Sequence, residues 1–419
     1  MKKALTKSDG RQDEKPATKV IRIDQVVQEE SPYYDPSFSN AVITWQKQHG
    51  RHSLPWQQTN DAYRVWLSEI MLQQTQVTTV IPYYQRFLEN FPTVHDLAAA
   101  PSEQVMTLWA GLGYYTRARN LHQCAKQVVE KYQGHFPDDP VLLQELPGIG
   151  RSTAAAVAAF SYGTLAAILD GNVKRVFARV FGIDGFPGAK PVEDDLWLRA
   201  NALLPKQDIQ SYTQGLMDLG ATLCTRSSPA CQRCPLQAVC VAHATHRTAE
   251  LPVRKPKREQ KEKHTVLLVL EHEGEILLEQ RPDSGIWGGL LSLPELDGMQ
   301  AGDGKAPVPD LFQAHEMNKT NDMNDTNGEP RLLADPSLLR LEQRVVETVQ
   351  RFGDIASSTD LPELTHGFTH FKLYIRPLHF RLSQRFHFVG EQNVAWYPLA
   401  QMEQTALPAP VKALLLSLK

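Results

Sequence analysis

LPGIGRSTAAAVAAFSYGTLAAILDGNVKRV, residues 146–176, is the stretch on which the fold turns. Gly148 and Gly150 follow Pro147 and permit a tight hairpin between two helical segments. Such a corner leaves backbone N–H groups pointing outward beside a helix N-terminus, a setting that suits one phosphate. Taken alone, the same residues also make an ordinary helix–helix turn. The next residues narrow the choice: an alanine-rich helical stretch, Ser152–Phe160, and then Asp170 at the head of a second one, Val173–Phe181. Asp170 has an immediate local role as a helix cap. The positive end of that helix also favours its ionised form, so the sequence predicts a fixed anion there.

Working outward, apolar residues recur at spacings of three and four through Ala41–Gln48, Tyr63–Val77, Glu103–Ala110, Arg117–Lys131 and Asp195–Leu204. Pro92, Pro101, Gly111, Gly113, Pro137 and Gly171 punctuate them. Residues 33–248 therefore read as one helical domain. Near its end Cys224, Cys231, Cys234 and Cys240 form a C-x6-C-x2-C-x5-C run, with Cys124 the one further cysteine of the chain. Structural zinc usually pairs two short knuckles across a longer gap, and only Cys231 and Cys234 make one. An iron–sulfur cube takes four thiolates at uneven spacing, so the pattern favours one [4Fe–4S] cluster over zinc. Disulfides rank third, because nothing else indicates an oxidising compartment.

Residues 1–32 are charged and polar, without an apolar h-region, and read as a disordered tail of a cytoplasmic protein. No run of apolar residues is long enough to span a membrane. The net charge of −3 excludes a uniformly basic coat, so any DNA contact has to come from local features. Composition shifts at 249–264, where LPVRKPKREQKEKH (251–264) carries six Lys or Arg against two Glu and reads as an extended basic linker. From 265 to 419 the pattern is that of a small α+β domain. Strands are expected at Thr265–Glu271, Glu275–Gln280, Phe371–Phe380 and Asn393–Pro398, with a final helix. A Gly-, Asn-, Asp- and Met-rich stretch at about 298–330 lacks periodicity and reads as a disordered insertion.

Hairpin, helix, acid and four-cysteine loop occur here in the order seen in helix-hairpin-helix DNA glycosylases, which the chain resembles from about 33 to 248. Five longer motifs sharpen the resemblance: WLSEIMLQQTQV (66–77), WAGLGYYTRARNL (109–121), LPGIGRSTA (146–154), ILDGNVKRV (168–176) and MDLGATLCTRSSPACQRCPL (217–236). Together they look like the MutY family of adenine DNA glycosylases. The resemblance implies an all-α glycosylase domain with a [4Fe–4S] loop, followed by a Nudix-like domain. It implies a monomer acting on double-stranded DNA that contains A:8-oxoguanine or A:G mispairs, with the adenine flipped out before cleavage.

Carried over by motif, Glu69 is the general acid that protonates the purine at N7, and Asp170 the carboxylate that steadies the sugar cation. A carboxyl at the ordinary value of about 4.3 is protonated in only about one molecule in 500 at pH 7. Glu69 shares a helix face with Val65, Trp66, Leu72 and Gln73, and partial loss of water there favours its neutral form. Gln73, Gln74 and Tyr114 match wedge residues that fill the stack beside the mispair. Arg51 matches a pocket-lining arginine and Trp56 a neighbouring wall; without the resemblance they read as surface charge and core aromatic. Ser152 stands where the sister endonuclease III family has a Schiff-base lysine, so a monofunctional enzyme without strand cleavage is implied.

In the tail domain QRPDSGIWGGL (280–290) resembles the start of a Nudix fold, while the acidic R-E-x-x-E-E run of a working hydrolase does not follow. The fold is expected without the hydrolase metal site. Its lesion-recognition loop is expected at 367–371, with Phe368, Thr369 and His370, where the family commonly has serine in place of Thr369. The alternatives are an endonuclease III-like lyase on oxidised pyrimidines, an inactive lesion-binding module, and a nucleotide-pool hydrolase. Thr369→Ala is predicted to reduce the preference for A:8-oxoguanine over A:G, measured as a ratio of single-turnover rates. An unchanged ratio removes that residue from the lesion reader.

Overall fold

A computed structural model describes residues 30–255, 260–282, 285–296, 336–368, 370–386 and 393–419. Most of the N-terminal tail, part of the linker, the 298–330 insertion and Thr369 lie outside the described residues. The chain forms two compact units, and neither is a continuous segment. One combines residues up to Trp66 with Phe136–Lys255; the other combines Leu67–His135 with Pro256–Lys419. The sequence places every helix of 33–248 in one domain. Within the first unit the core closes on itself. Phe38, Val42 and Ile43 pack with Val173, Val176, Phe177, Tyr212 and Leu216, and no side chain from 67–135 joins that cluster.

In the first unit α1 (Pro36–His49) is capped by Asp35, which accepts from the Ser37 N–H. The helix α2 (Ala62–Leu72) ends five residues earlier than its periodicity suggests. Gln74 takes a left-handed φ of 58°, which stops the helix, and α3 (Val77–Asn90) starts afresh. Further helices α4 (Val94–Ala99), α5 (Ser102–Trp109) and α6 (Thr116–Tyr132) belong to the second unit. The first unit continues with α7 (Pro140–Gln144), α8 (Arg151–Tyr162), α9 (Gly171–Val180), α10 (Lys190–Ala202) and α11 (Ile209–Asp218). The sequence pattern gives no sign of α11. A single π-type turn, Leu219–Leu223, carries α11 into the cysteine loop, which ends in the short α12 (Val241–Ala244).

Small residues let these helices approach closely. A Cβ on Gly215 would stand 2.7 Å from the Val42 Cγ1 of α1. One on Gly220 would stand 2.5 Å from the Asn172 Cβ and 2.9 Å from its Cα, in the first turn of α9. The backbone of the π-type turn thus rests directly on the residues after Asp170.

In the second unit a mixed sheet has the order β3-β2-β1-β6-β4, with β5 on β6 and β7 on β2. Its strands are β1 (Lys261–His272), β2 (Glu275–Gln280), β3 (Leu291–Ser292), β4 (Gly353–Asp360), β5 (Leu364–Gly367), β6 (Phe371–Arg385) and β7 (Val394–Pro398). Parallel pairing of β1 with β6 matches Thr265 to Ile375 and Leu268 to Leu378. The strand begins at Lys261, inside the stretch read as linker, because Lys261–His264 pair with Phe371–Tyr374 while their side chains stay largely in solvent. The amphipathic α13 (Pro336–Gln350) lays Val345 and Val349 on Leu268, Leu270 and Phe380, and α14 (Ala409–Leu416) closes the chain. Among the described residues, no helix is long and apolar enough to cross a membrane.

Gly220→Ala is expected to destabilise the protein by about 1–3 kcal/mol, since backbone cannot yield to an added methyl as a flexible side chain can. Urea unfolding measures it; a change below about 0.5 kcal/mol, the level of neutral surface substitutions, means the contact is not tight.

Candidate active site

The hairpin forms where the glycines predict it. Ile149 donates its N–H to the Leu146 carbonyl at 3.2 Å, and Gly148 holds a φ of 79°, the left-handed region that favours glycine. Gly150 has an ordinary φ of −85° and is the residue before α8. A Cβ there would meet nothing within 4 Å. The fold therefore does not require glycine at 150.

Asp170 caps α9. Its Oδ1 accepts the Val173 N–H at 2.9 Å, and its Oδ2 accepts from the Asn172 side chain at 3.1 Å. The residue before it is fixed as well, because the Ser152 hydroxyl accepts the Leu169 N–H at 3.1 Å. Ser152 thus has a structural duty in positioning the acid. The sequence predicts an ionised Asp170 held by the helix end. In the structure, burial pushes its carboxyl above the usual carboxylate range, against the Val173 and Asn172 hydrogen bonds and the Arg175 charge. Loss of water outweighs the helix terminus.

Glu69 lies in the last turns of α2, half-buried in a helix whose Leu67, Ser68, Ile70 and Met71 are fully buried. It falls in the second unit and Asp170 in the first. Gln73 and Gln74 form the turn after α2, half-buried and exposed respectively. Tyr114 leaves half of its surface in solvent, with a left-handed φ of 50° that a tyrosine rarely adopts.

Arg51 is pinned by a residue that the sequence pattern did not single out. Asp218, wholly buried, accepts the Arg51 backbone N–H at 2.8 Å and its Nε at 2.7 Å, and Gln214 donates to the same carboxylate at 2.8 Å. Arg51 and Asp218 line a cavity with Trp45, His49, Thr222 and Arg233. A lone acid in the apolar run Gly215–Leu219 was the available signal. Trp56 is buried in the core and is not one of the residues lining that cavity.

Cys224, Cys231, Cys234 and Cys240 line one cavity with apolar walls from Val176, Val180, Leu219 and Leu223. Among the described residues, no three His, Cys, Asp or Glu are grouped closely enough to hold a single metal ion. Burial and the neighbouring cysteines push the Cys234 thiol up to about 11. Two arginines of α9 hold the loop. Arg175 donates to the Cys224 carbonyl at 2.7 Å and the Gly220 carbonyl at 2.6 Å. Arg179, only 2 % exposed, donates to the carbonyls of Thr225 at 2.6 Å, Arg226 at 3.1 Å and Leu251 at 2.7 Å. Cys124 is buried on α6, in the second unit, and belongs to the core there.

In the second unit Phe368 stacks on Phe371 with centroids 4.5 Å apart and meets His366 edge-on at 4.8 Å. Trp287 lies 6.2 Å from both His366 and Phe368. Burial lowers the His366 pKa, so its ring is neutral in this aromatic group. His370 is exposed.

Residues 67–201 match the family described as HhH-GPD superfamily base excision DNA repair protein, and residues 265–417 match the NUDIX domain. The fold and the hairpin-to-acid arrangement thus define a base-excision DNA glycosylase. An adenine DNA glycosylase of Buchnera aphidicola subsp. Acyrthosiphon pisum is 33 % identical over 383 residues, 91 % of this chain and 97 % of that one. The human adenine DNA glycosylase is 35 % identical over 314 residues, 62 % of this chain and 57 % of that one. A solved structure of a thermostable thymine-DNA glycosylase has 28 % identity and a TM-score of 0.46, covering 50 % of this chain and 95 % of that one. The chain belongs to the adenine DNA glycosylase family.

Because the Asp170 pKa is raised in the native state, its charge opposes folding. Below the ordinary carboxylate range both states hold the proton, and the native acid costs nothing. As pH rises the unfolded chain ionises first, and the penalty is complete above the raised native value. Asp170→Asn, which keeps a capping side chain, is expected to raise Tm at pH 8 and to lose that advantage towards pH 3. Calorimetry at both pH values checks the sign; a lower Tm at pH 8 contradicts the burial.

Proposed function

We propose that this glycosylase excises adenine mispaired with 8-oxoguanine, or with guanine, from double-stranded DNA, and hydrolyses the N-glycosidic bond without cutting the strand. The observation that carries the reading is Asp170, capped, desolvated and locked from both sides beside an open glycine hairpin. A carboxylate stripped of water gains more from a cation developing at C1′ than a solvated one, because the surroundings do not screen the pair. Asp170 is the group proposed to steady the sugar cation. Glu69 is proposed to donate the proton to the purine, and its half-buried place in an uncharged helical turn supports the role.

Gly148 and Gly150 offer backbone N–H groups to a DNA phosphate, supported by the free space over Gly150. Arg51, which Asp218 holds at the edge of a cavity, is proposed to line the pocket for the flipped base, with Trp56 as a neighbouring wall. Gln73, Gln74 and Tyr114 fill the gap in the stack, and the exposure of Tyr114 supports insertion. Phe368, Thr369 and His370 read the oxidised guanine, the aromatic group around Phe368 giving the loop a fixed base. Ser152 cannot form an imine, which supports simple hydrolysis over a lyase reaction.

Cys224, Cys231, Cys234 and Cys240 are proposed to hold one [4Fe–4S] cluster. Four thiols at uneven spacing around one cavity suit a cube better than the paired short knuckles of zinc. When bound, the cluster supplies a charged cross-link that fixes the loop; Arg175 and Arg179 clamp the same loop through its carbonyls.

Single-turnover excision on duplexes with adenine opposite 8-oxoguanine, guanine or cytosine tests the whole reading. The expected order is 8-oxoguanine, then guanine, then cytosine, with strand breaks appearing only after alkali. Equal rates overturn the lesion preference, and borohydride trapping of a covalent adduct overturns the monofunctional assignment. Glu69→Gln is expected to lower the excision rate by at least about 100-fold, the scale of general acid catalysis, while mispair affinity stays within a few-fold. A near wild-type rate removes Glu69 from the proton transfer.

A further inference from the structure

In the second unit, a buried cation without a carboxylate partner among the described residues joins two strained turns. Arg117, in the first turn of α6, is 9 % exposed. Its Nη1 donates to the carbonyls of Ile70 at 2.9 Å and Met71 at 2.8 Å, at the C-terminal end of α2. Its Nη2 donates to the Thr75 hydroxyl at 3.1 Å and to the carbonyls of Leu112 and Gly113, each at 3.2 Å. The Arg117 backbone N–H donates to the Tyr114 carbonyl at 2.8 Å. Its guanidinium also lies over the rings of Trp109 and Tyr114, at 5.2 and 5.6 Å from their centroids. Every one of these partners is neutral. Burial lowers the Arg117 pKa to about 10, which still leaves it charged at neutral pH.

The two turns it ties together carry the residues with unusual backbone. Gln74 has φ 58° and Tyr114 φ 50°, conformations that a non-glycine residue rarely adopts and that persist only when its surroundings enforce them. The tie reaches Gln74 through its neighbours. The Thr75 hydroxyl accepts from Arg117 and donates in turn to the Gln73 carbonyl at 3.3 Å, which closes the turn. On the other side the Gly113 carbonyl is shared between Arg117 and the Trp109 indole N–H at 3.1 Å. One planar fork of donors therefore fixes both turns at once, and a lysine cannot copy it.

We infer that Arg117 is a positioning residue that presets the DNA wedge, holding Gln74 and Tyr114 in their inserted geometry before DNA arrives. This rests on the proposed role of Gln74 and Tyr114 as stack fillers. A preset wedge spares the complex the cost of ordering two turns during base extrusion. Arg117 then contributes to extrusion and has no part in bond cleavage.

The test uses the full-length holoprotein with Arg117→Lys, Tyr114→Ala and the double variant. Two duplexes are compared, one with adenine opposite 8-oxoguanine and one with adenine opposite an abasic analogue, where little stacking resists extrusion. Arg117→Lys is expected to slow single-turnover excision about tenfold or more on the mispair and less than about threefold on the second duplex, on the scale by which misplacement slows reaction. In the Tyr114→Ala background the same change is expected to add little, because both act through one wedge. A lesion-independent loss, or fully additive losses in the double variant, overturns the inference and leaves a structural role only. Should Arg117→Lys fail to fold, Thr75→Val removes one acceptor and keeps the guanidinium; it is expected to give a smaller loss with the same duplex dependence, and no loss overturns the inference. Failure of the wild type to release adenine at all refutes the parent reading instead, so the two failures are distinct.

Discussion

The helix Gly171–Val180 is held by one constraint, the close seating of its first turn under the π-type turn that leads into the cysteine loop. Gly220 has no side chain because Asn172 occupies the space one would need. That contact brings Arg175 within reach of the Gly220 and Cys224 carbonyls, and Arg179 within reach of Thr225 and Arg226. The same helix begins with Asp170. A single ten-residue element thus fixes a desolvated carboxylate at one end and anchors the four-thiol cavity along its flank. Loop and acid thus meet at Asn172, which packs on Gly220 and donates to the Asp170 carboxylate.

The acid and the arginines solve opposite electrostatic problems. Asp170 keeps its local hydrogen bonds yet loses enough water that its protonated form gains ground. In the proposed chemistry, a charge destabilised in the resting enzyme is the one that gains most beside a developing cation. Arg179 is buried without losing its partners, because the loop carbonyls satisfy it. Arg117 follows the same rule in the second unit, where carbonyls at a helix end replace a counter-ion. Both arginines stabilise irregular backbone that no regular ladder supports. The sites proposed to meet DNA are built on such backbone.

Much of the site was legible in the chain. The glycines of 146–150 predict the hairpin, Asp170 predicts a cap, and the four cysteines predict a common centre; each depends on residues near in sequence. The expected strands at 265–271, 275–280 and 371–380 likewise appear, since alternation and β-branching are local properties. The end of α2 was misplaced because the apolar period runs on through Val77, while the left-handed Gln74 leaves no mark in the spacing. The helix Ile209–Asp218 was not singled out because its glycine and polar residues interrupt the apolar spacing, and only in the fold does Val42 fill the groove over Gly215.

By itself, then, the sequence determined the hairpin, the cysteine set, the strand-rich tail and the family to which the chain belongs. Tertiary structure alone decided that Asp218 holds Arg51, that Arg117 ties two turns together, and that burial prevails over the helix end at Asp170. Asp218 is 167 residues from its partner, and Arg117 is 47 from Ile70. Pairing across such distances and loss of water are properties of the packed chain. They depend on what surrounds a residue in space, which spacing along the sequence does not encode.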